Sequence, residues 1–488
     1  MSSPEIIDNE PLAPEAAAAG SAAELGLIYG LEDRPPLRET IFAALQHVFA
    51  CFVGIITPAL IISGALQLPP ADSAYLVSMS LFVSGIATFI QAKKFGPVGS
   101  GLLSIQGTSF AFIGPIIAAG LAVTGAGGTP QQALGTIFAL CFVGSFIEMF
   151  FSRFIHLAGQ IITPLVTGIV VTLIGITLID VGFTSMAGGP RAKAMLAAAT
   201  AAGETLEGPA VFGSTTNLFL SGLVLAIIII LNSLQNSFLR MASVAIGLIV
   251  GYIVAVPLGF VDFSNLSSLA PVTVPIPFKY GFGFSLTAFI PFAFLYLVTT
   301  IESTGDLTAT SLLTGQPITG KRYFDRIQGG ILGDGINSAI AAIFNTFPNT
   351  TFSQNNGVIQ LTGIGSRYVG YFISAIFVIL GLVPIIAGIF QTIPQPVLGG
   401  ATIIMFGTVA VAGLKIISTV ELNKRASIIL AVSLGLGIGV SEVPEALDQL
   451  PTLIQSIFSS GISTGGLTAL FLNMVLPGRE YSKESFKV

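Results

Sequence analysis

The sequence predicts an all-α polytopic membrane protein, with fourteen transmembrane segments arranged as two inverted halves of seven. Three observations carry that prediction. Of the 488 residues, 53% are hydrophobic and only 9% charged, whereas a soluble chain of ordinary composition carries about 25%. Apolar runs of roughly 20 residues, each long enough to cross about 30 Å of hydrocarbon as a helix, recur along almost the whole chain. Basic residues gather on alternate connections between those runs, as the positive-inside rule requires.

The runs fall at 41–66, 73–91, 101–122, 131–152, 161–183, 216–233, 241–260, 285–311, 326–346, 349–364, 367–390, 395–414, 426–441 and 459–477. An even count puts both termini on one side. That side collects sixteen lysines and arginines, among them Arg34, Arg38, Lys93, Lys94, Arg153, Arg326 and Arg367; the other holds only Arg191, Lys193 and Lys279. Both termini are therefore expected in the cytoplasm, with the chain in the cell inner membrane. Residues 1–36 are acidic and Ala-rich and lack the basic start and apolar core of a cleavable signal peptide, so they read as a mobile tail. The 184–215 segment reads as an outer connection. Cys51 and Cys141 sit inside apolar runs and read as small buried residues. A net charge of −5 says little in a membrane protein, where the position of basic residues counts for more than their sum.

Two internal matches support the halving. "PLVTGIVVTLIG" at 164–175 shares Pro, Gly and Gly at equal spacing with "PVLGGATIIMFG" at 396–407, pairing span five with span twelve. "SIQGTSFAFIG" at 104–114 shares Ser and the final Gly with "SQNNGVIQLTG" at 353–363, pairing span three with span ten. An odd number of spans per half makes the second half enter from the opposite face. Spans three and ten also begin with polar, Gly-containing segments. Interrupted spans at matching places in two halves point to a transporter binding site, since irregular backbone survives at membrane depth only where protein or a cavity surrounds it.

Ionisable residues point to the same place. Glu302, Asp306 and Asp334 fall well inside spans, and no lysine or arginine lies in the interior of a span to neutralise them, Arg326 and Arg367 standing at the very starts of theirs. An ionised carboxylate at the bilayer centre costs about 2.5–3.5 kcal/mol, which suggests a functional use. Glu302 and Asp306 are one helical turn apart and share a face; a dry setting and a like-charged neighbour each favour the protonated carboxyl. A carboxyl that exchanges a proton beside a substrate is what proton coupling needs. The alternative is interhelical hydrogen bonding. His47 is the histidine inside a span and reads either as a bond between helices or as a ligand contact. His156 lies near a basic end and reads as ordinary. Phe110, one of 37 phenylalanines, reads from composition as core packing, although a flat ring ligand could stack on it.

"QNNGVIQLTG" at 354–363 fits the signature of the nucleobase–ascorbate transporters: Gln-Asn, any residue, Gly, four more, then Thr followed by Arg, Lys or Gly. Gln46-His47 fits that family's pair in span one. "LIYGLEDRPPL", "GPVGSGLLSIQGTSF", "FNTFPN" and "LGGATIIMFGT" resemble its bacterial xanthine permeases, and the resemblance runs from about residue 28 to 478. It implies a core domain of spans 1–4 and 8–11 (37–158 and 280–391) and a gate domain of spans 5–7 and 12–14 (159–262 and 392–478), flanked by tails at 1–36 and 479–488. Spans three and ten would carry short antiparallel strands, and the protein would form a homodimer.

By matching motif positions, the resemblance implies that Glu302 and Gln354 hydrogen-bond a purine nucleobase. Ser109 would contribute backbone contact and Phe110 a stacking face, and Asn355 would line the site. Asp306, Asp334, His47 and Thr362 would support the site or proton coupling. Asp306 stands where a uracil-transporting relative has histidine, and Gly363 fills a slot that is basic in many eukaryotic relatives. The implied activity is proton-coupled uptake of a purine, xanthine first, with urate, another purine or uracil as alternatives. More remote is an anion exchanger or channel of similar fold, which Glu302 argues against. No metal-ligand cluster, nucleophile–base constellation or phosphate loop is present in the sequence. An enzyme, a cofactor other than the co-transported proton, and a nucleic-acid partner are therefore not expected.

Overall fold

A computed structural model describes residues 27–154, 163–201, 205, 208, 211–236, 239, 242–262, 272–317, 320–352, 354–418, 420–447, 449–450, 458 and 461–478. Ser353, His156, Arg240 and most of the two expected tails lie outside these. Four helices, α1 (Leu37–Ala65), α2 (Pro70–Lys93), α3 (Ile113–Gly125) and α4 (Pro130–Phe151), make up the first stretch, with a strand β1 (Gln106–Thr108) and a 3₁₀ turn (Phe110–Phe112) leading into α3. Then come α5 (Pro164–Met186), α6 (Pro190–Ala201), α7 (Thr215–Ser233) and α8 (Ser243–Ala255). The second stretch has α9 (Leu286–Leu313), α10 (Gly320–Ile343), β2 (Asn349–Thr351), α11 (Gln354–Thr362), α12 (Arg367–Leu382) and α13 (Pro384–Gln391). It closes with α14 (Gln395–Ser418), α15 (Lys424–Glu442) and α16 (Gly461–Val475).

Among the described residues, eight helices are long and apolar enough to cross a membrane, or nine if the pair α12–α13 counts as one span. That pair was expected as one run at 367–390, but it bends by 80°. Pro384 supplies the cause: it has no N–H to continue the ladder and its ring excludes the preceding carbonyl, so a new helix starts there. Three apolar helices of the short spans, 110–125, α8 and α16, stop below the length needed to cross alone. The connection read at 184–215 contains α6, whose Ala-rich composition favours helix without adding hydropathy. The expected tail at 1–36 ends early, because residues 27–36 pack against the helices rather than trailing from α1.

Local chemistry explains the helix ends. Thr129 caps α4 by accepting from Gln132 N–H (3.2 Å), while Gln132 Oε1 accepts from Thr129 N–H (2.8 Å), a reciprocal capping box. Helices α2, α4, α5 and α13 begin on proline, which needs no intrahelical partner for its nitrogen. Packing between helices relies on small residues, as expected where lipid offers no competing hydrophobic force. The two helices matched as repeats, α5 and α14, lie against each other. A methyl group at Gly175 would come within 2.3 Å of Ala410 N, so the backbones touch there.

Candidate functional site

Two three-residue strands cross in the middle of the first and second stretches. They run antiparallel, with Gln106 opposite Thr351, Gly107 opposite Thr350 and Thr108 opposite Asn349. Ser109 N–H donates to Pro348 O (2.8 Å) and Phe352 N–H to Ile105 O (3.0 Å), lengthening the ladder by one bond at each end. All six strand residues are buried. The tip of the Phe352 ring lies against Gly107: a Cβ there would meet Phe352 Cζ at 2.3 Å, so a side chain at 107 would displace the ring.

Each strand turns directly into a helix, β1 into the 110–112 turn and α3, β2 into α11. Both helix starts, whose first N–H groups have no partner one turn earlier in the helix, therefore lie beside the crossing. Helix α9 touches the 110–112 turn, α3, β2 and α11, and α1 packs on α11. This topology brings most of the predicted residues to adjoining elements. Gln354 opens α11 with an exposed side chain; Glu302 on α9 and Phe110 are half-buried. Glu302 has acidic Asp306 and Asp334 as its charged neighbours and makes no hydrogen bond among the described residues. Phe110 packs edge-on against Phe406 of α14, with centroids 5.9 Å apart at 79°.

The supporting residues are held more tightly. Asp334 is fully buried and accepts from Gln91 Nε2 (2.5 Å) and Ser303 Oγ (2.5 Å). Gln91 in turn donates to Gly330 O (2.7 Å) and accepts from Ser100 N–H (2.8 Å). Asp306 Oδ2 accepts from the strand residue Thr351 (3.1 Å). Asn355 donates to Leu103 O (2.5 Å), tying α11 to the lead into β1. His47 is fully buried beside Asn355, with neither ring nitrogen in bonding geometry among the described residues. Ser109 is buried with its amide used by Pro348 and its hydroxyl unpaired. Thr362 is not brought to this cluster. It closes the far end of α11, donating to Val358 O (2.9 Å) and accepting from Ile364 N–H (3.2 Å), about 12 Å along the helix from Gln354 at 1.5 Å per residue.

Unsatisfied polar atoms gather at the same place. The side chains of Gln106, Thr108, Ser109, Asn337 and Asn349 carry buried nitrogen or oxygen atoms without a bond among the described residues, as does Asn355 Oδ1. Each such group costs about 1–3 kcal/mol when left unpaired, so the concentration is chemically expensive. It amounts to a set of unused donors and acceptors on and beside the two strands. Glu148 on α4 joins this neighbourhood and was missed from sequence. It is 1% exposed, accepts from Thr299 Oγ1 (3.3 Å), and feels the charges of Asp334 and Glu302. The signal was present, since Glu148 lies inside an apolar run as Glu302 does.

Such an arrangement suits a planar, uncharged ligand edged with donors and acceptors: an amide side chain offers one of each and a carboxylate accepts from two N–H groups. No cluster of three or more histidine, cysteine or acidic side chains disposed to hold a metal ion occurs among the described residues. Comparison with known proteins agrees in kind. A family model described as a permease family matches residues 38–446. The chain is 47% identical over 452 residues to the xanthine permease XanP of Escherichia coli strain K12, covering 92% of this chain and 95% of that one. It is 45% identical over 452 residues to the xanthine permease XanQ of the same strain, covering 93% and 94%. Among solved structures, the transmembrane domain of the cyanobacterial bicarbonate transporter BicA superposes with a TM-score of 0.59 at 15% identity, covering 88% of this chain and all of that one; that likeness shows a shared transporter fold. The protein is a multi-pass membrane transporter rather than an enzyme, and it belongs to the nucleobase–ascorbate transporter family of permeases.

Proposed function

We propose that the protein takes up a purine nucleobase, xanthine first, together with a proton. The observation that carries this reading is that Glu302 and Gln354 stand on contacting helices, α9 and α11, that both touch the crossing strands' surroundings. Neither side chain has a hydrogen bond among the described residues, and buried polar atoms nearby are likewise without a bond there. A purine brings alternating N–H and C=O groups to such a site, and matching them replaces the water it loses on entry. In this reading Glu302 accepts from the purine N–H edge and Gln354 bonds a C=O and N–H pair. Phe110 stacks on the ring, and Ser109 and Asn355 complete the lining. Asp306 and Asp334 take part in holding the proton, while His47 and Thr362 support the site from behind and from the far end of α11. The names of XanP and XanQ, at 47% and 45% identity, favour xanthine.

The reading includes fourteen spans in two inverted halves. The long helices supply most of them. The pairs β1–α3 and β2–α11 supply spans three and ten, and α10, polar along one side, supplies span nine. Spans 1–4 and 8–11 form a core that rocks against a gate of spans 5–7 and 12–14, so the site opens to one side at a time. Both termini face the cytoplasm and two copies associate. The inward proton gradient, about 2.3 kcal/mol per charge per 100 mV plus its pH part, drives accumulation. The test is uptake of radiolabelled xanthine by cells lacking their own purine permeases. Saturable accumulation that protonophore abolishes supports the reading; accumulation indifferent to protonophore and to outside acidification removes the proton, and absence of uptake from a correctly inserted protein removes xanthine.

A further inference from the structure

The residues ahead of the first span form a strap across the end of α11. Gly363 O, at the close of α11, accepts from both Ile28 N–H (2.7 Å) and Tyr29 N–H (3.2 Å). Gly365 N–H donates to Tyr29 O (2.9 Å) and Arg367 N–H to Leu31 O (3.0 Å), so the segment pairs with 363–367 as a short parallel ladder. Side chains fasten the far half. Ser366 Oγ donates to Asp33 O (2.5 Å). The Arg367 guanidinium donates twice to Glu32 Oε2, from Nε (3.0 Å) and Nη2 (2.7 Å). Arg34 lies 4.6 Å over the Tyr368 ring. Leu31 is 4% exposed and is buried with Leu102, Leu307, Ile327 and Ile331. Those four residues belong to the lead into β1, to α9 and to α10, the elements that carry the strand crossing, Glu302 and Asp334.

A plain fastening of the chain to α1 would need none of these bonds, since their partners lie more than 300 residues away. What they hold is the end of a nine-residue helix. Helices that short are marginal alone and take their position from contacts at their ends. The start of α11 is fixed by β2, and its other end is fixed by the strap. We propose that Ile28–Arg34 is a positioning strap for the substrate site, setting α11, and with it Gln354, against α9. None of its residues touches the substrate; they act through α11. The consequence for transport rests on the purine reading above, whereas the consequence for α11 does not.

The test uses full-length protein with Glu32→Arg, Arg367→Glu, the double exchange that restores the pair, and Leu31→Ala. Hydrogen exchange of the 354–362 amides, measured on purified protein without substrate, is expected to quicken about tenfold in Glu32→Arg and Leu31→Ala, equivalent to about 1.4 kcal/mol, and to return within about twofold of wild type in the double exchange. In cells, the same two variants are expected to raise the KM for xanthine several-fold while wild-type-like amounts reach the membrane, with rescue in the double exchange. Exchange of α11 unchanged in both variants overturns the strap, and so does acceleration spread evenly over α1 and α14, which would mark a general loss of stability. A wild type that takes up no xanthine defeats the purine reading, while the exchange data still decide the strap.

Discussion

Replacing Gln91 with leucine separates the scaffold of the site from its chemistry. Gln91 is fully buried and joins three elements, bonding Asp334 on α10, Gly330 O and Ser100 N–H. A bond to a carboxylate contributes about 1.5–3 kcal/mol and a neutral one about 0.5–1.5 kcal/mol. Leucine nearly matches the glutamine in volume but takes the Gln91 bond from Asp334 Oδ1 and Ser100 N–H, while Asp334 keeps Ser303 and Gly330 O keeps its place in the α10 ladder. The expected loss is therefore roughly 2–4.5 kcal/mol, a large share of the usual margin of about 5–15 kcal/mol. Asp334→Asn is the informative companion. Its Oδ1 can accept from Gln91 Nε2 while its Nδ2 donates to Ser303 Oγ, so both bonds survive with the ionisable oxygen removed. Thermal unfolding of detergent-purified protein is the assay, with uptake as the second readout. Gln91→Leu is expected to melt well below wild type, and Asp334→Asn to melt near wild type while losing proton-driven accumulation. A Gln91→Leu protein that melts with wild type and transports normally would refute the claim that this network fixes Asp334.

Three further outcomes follow from the geometry. Gly107→Val should abolish folding or site formation, since its Cβ alone would lie 2.3 Å from Phe352 Cζ and overpacking of this kind costs at least about 1–3 kcal/mol; Phe352→Ala added to it should restore some folded protein in the same thermal assay. Thr362→Val should shift the KM for xanthine far less than Gln354→Ala, because the Thr362 hydroxyl bonds only backbone groups at the distal end of α11 among the described residues, bonds worth about 0.5–1.5 kcal/mol each. Phe110→Leu should raise the KM for xanthine and leave the amount of folded protein nearly unchanged, because Phe110 is half-buried and leucine keeps its apolar packing while losing the edge-on ring contact with Phe406, a pair worth about 0.5–1.5 kcal/mol.

Much of this was legible in the sequence because the bilayer writes its thickness into the chain. Runs of apolar residues marked α1, α2, α4, α5, α7 and α9 within a few residues of their ends, and the polar start of span three marked β1; in span ten the polar run at 353–363 falls on α11, with β2 just ahead of it. What was not legible depended on contacts distant in sequence. Nothing around Gln91 announces that it will meet Asp334, 243 residues on. The bend at Pro384 was hidden by continuous hydropathy, although the proline itself is a stop signal. Leu31 looked like part of a loose tail because a single buried leucine leaves no periodicity. Glu148 was overlooked near the end of its run, although the cost of a buried acid applied to it as to Glu302.

The most direct test of the central claim is xanthine binding to purified wild-type and Glu302→Gln protein, measured calorimetrically with uracil and urate as competitors. The substitution keeps size and hydrogen-bonding capacity but exchanges an acceptor for a donor on one side. The account predicts saturable binding by wild type, displaced chiefly by close xanthine analogues, and a loss in Glu302→Gln of at least about tenfold, or 1.4 kcal/mol, with unchanged thermal stability. Equal binding by the two proteins would contradict it, because a purine held without Glu302 would have to sit somewhere other than the strand crossing.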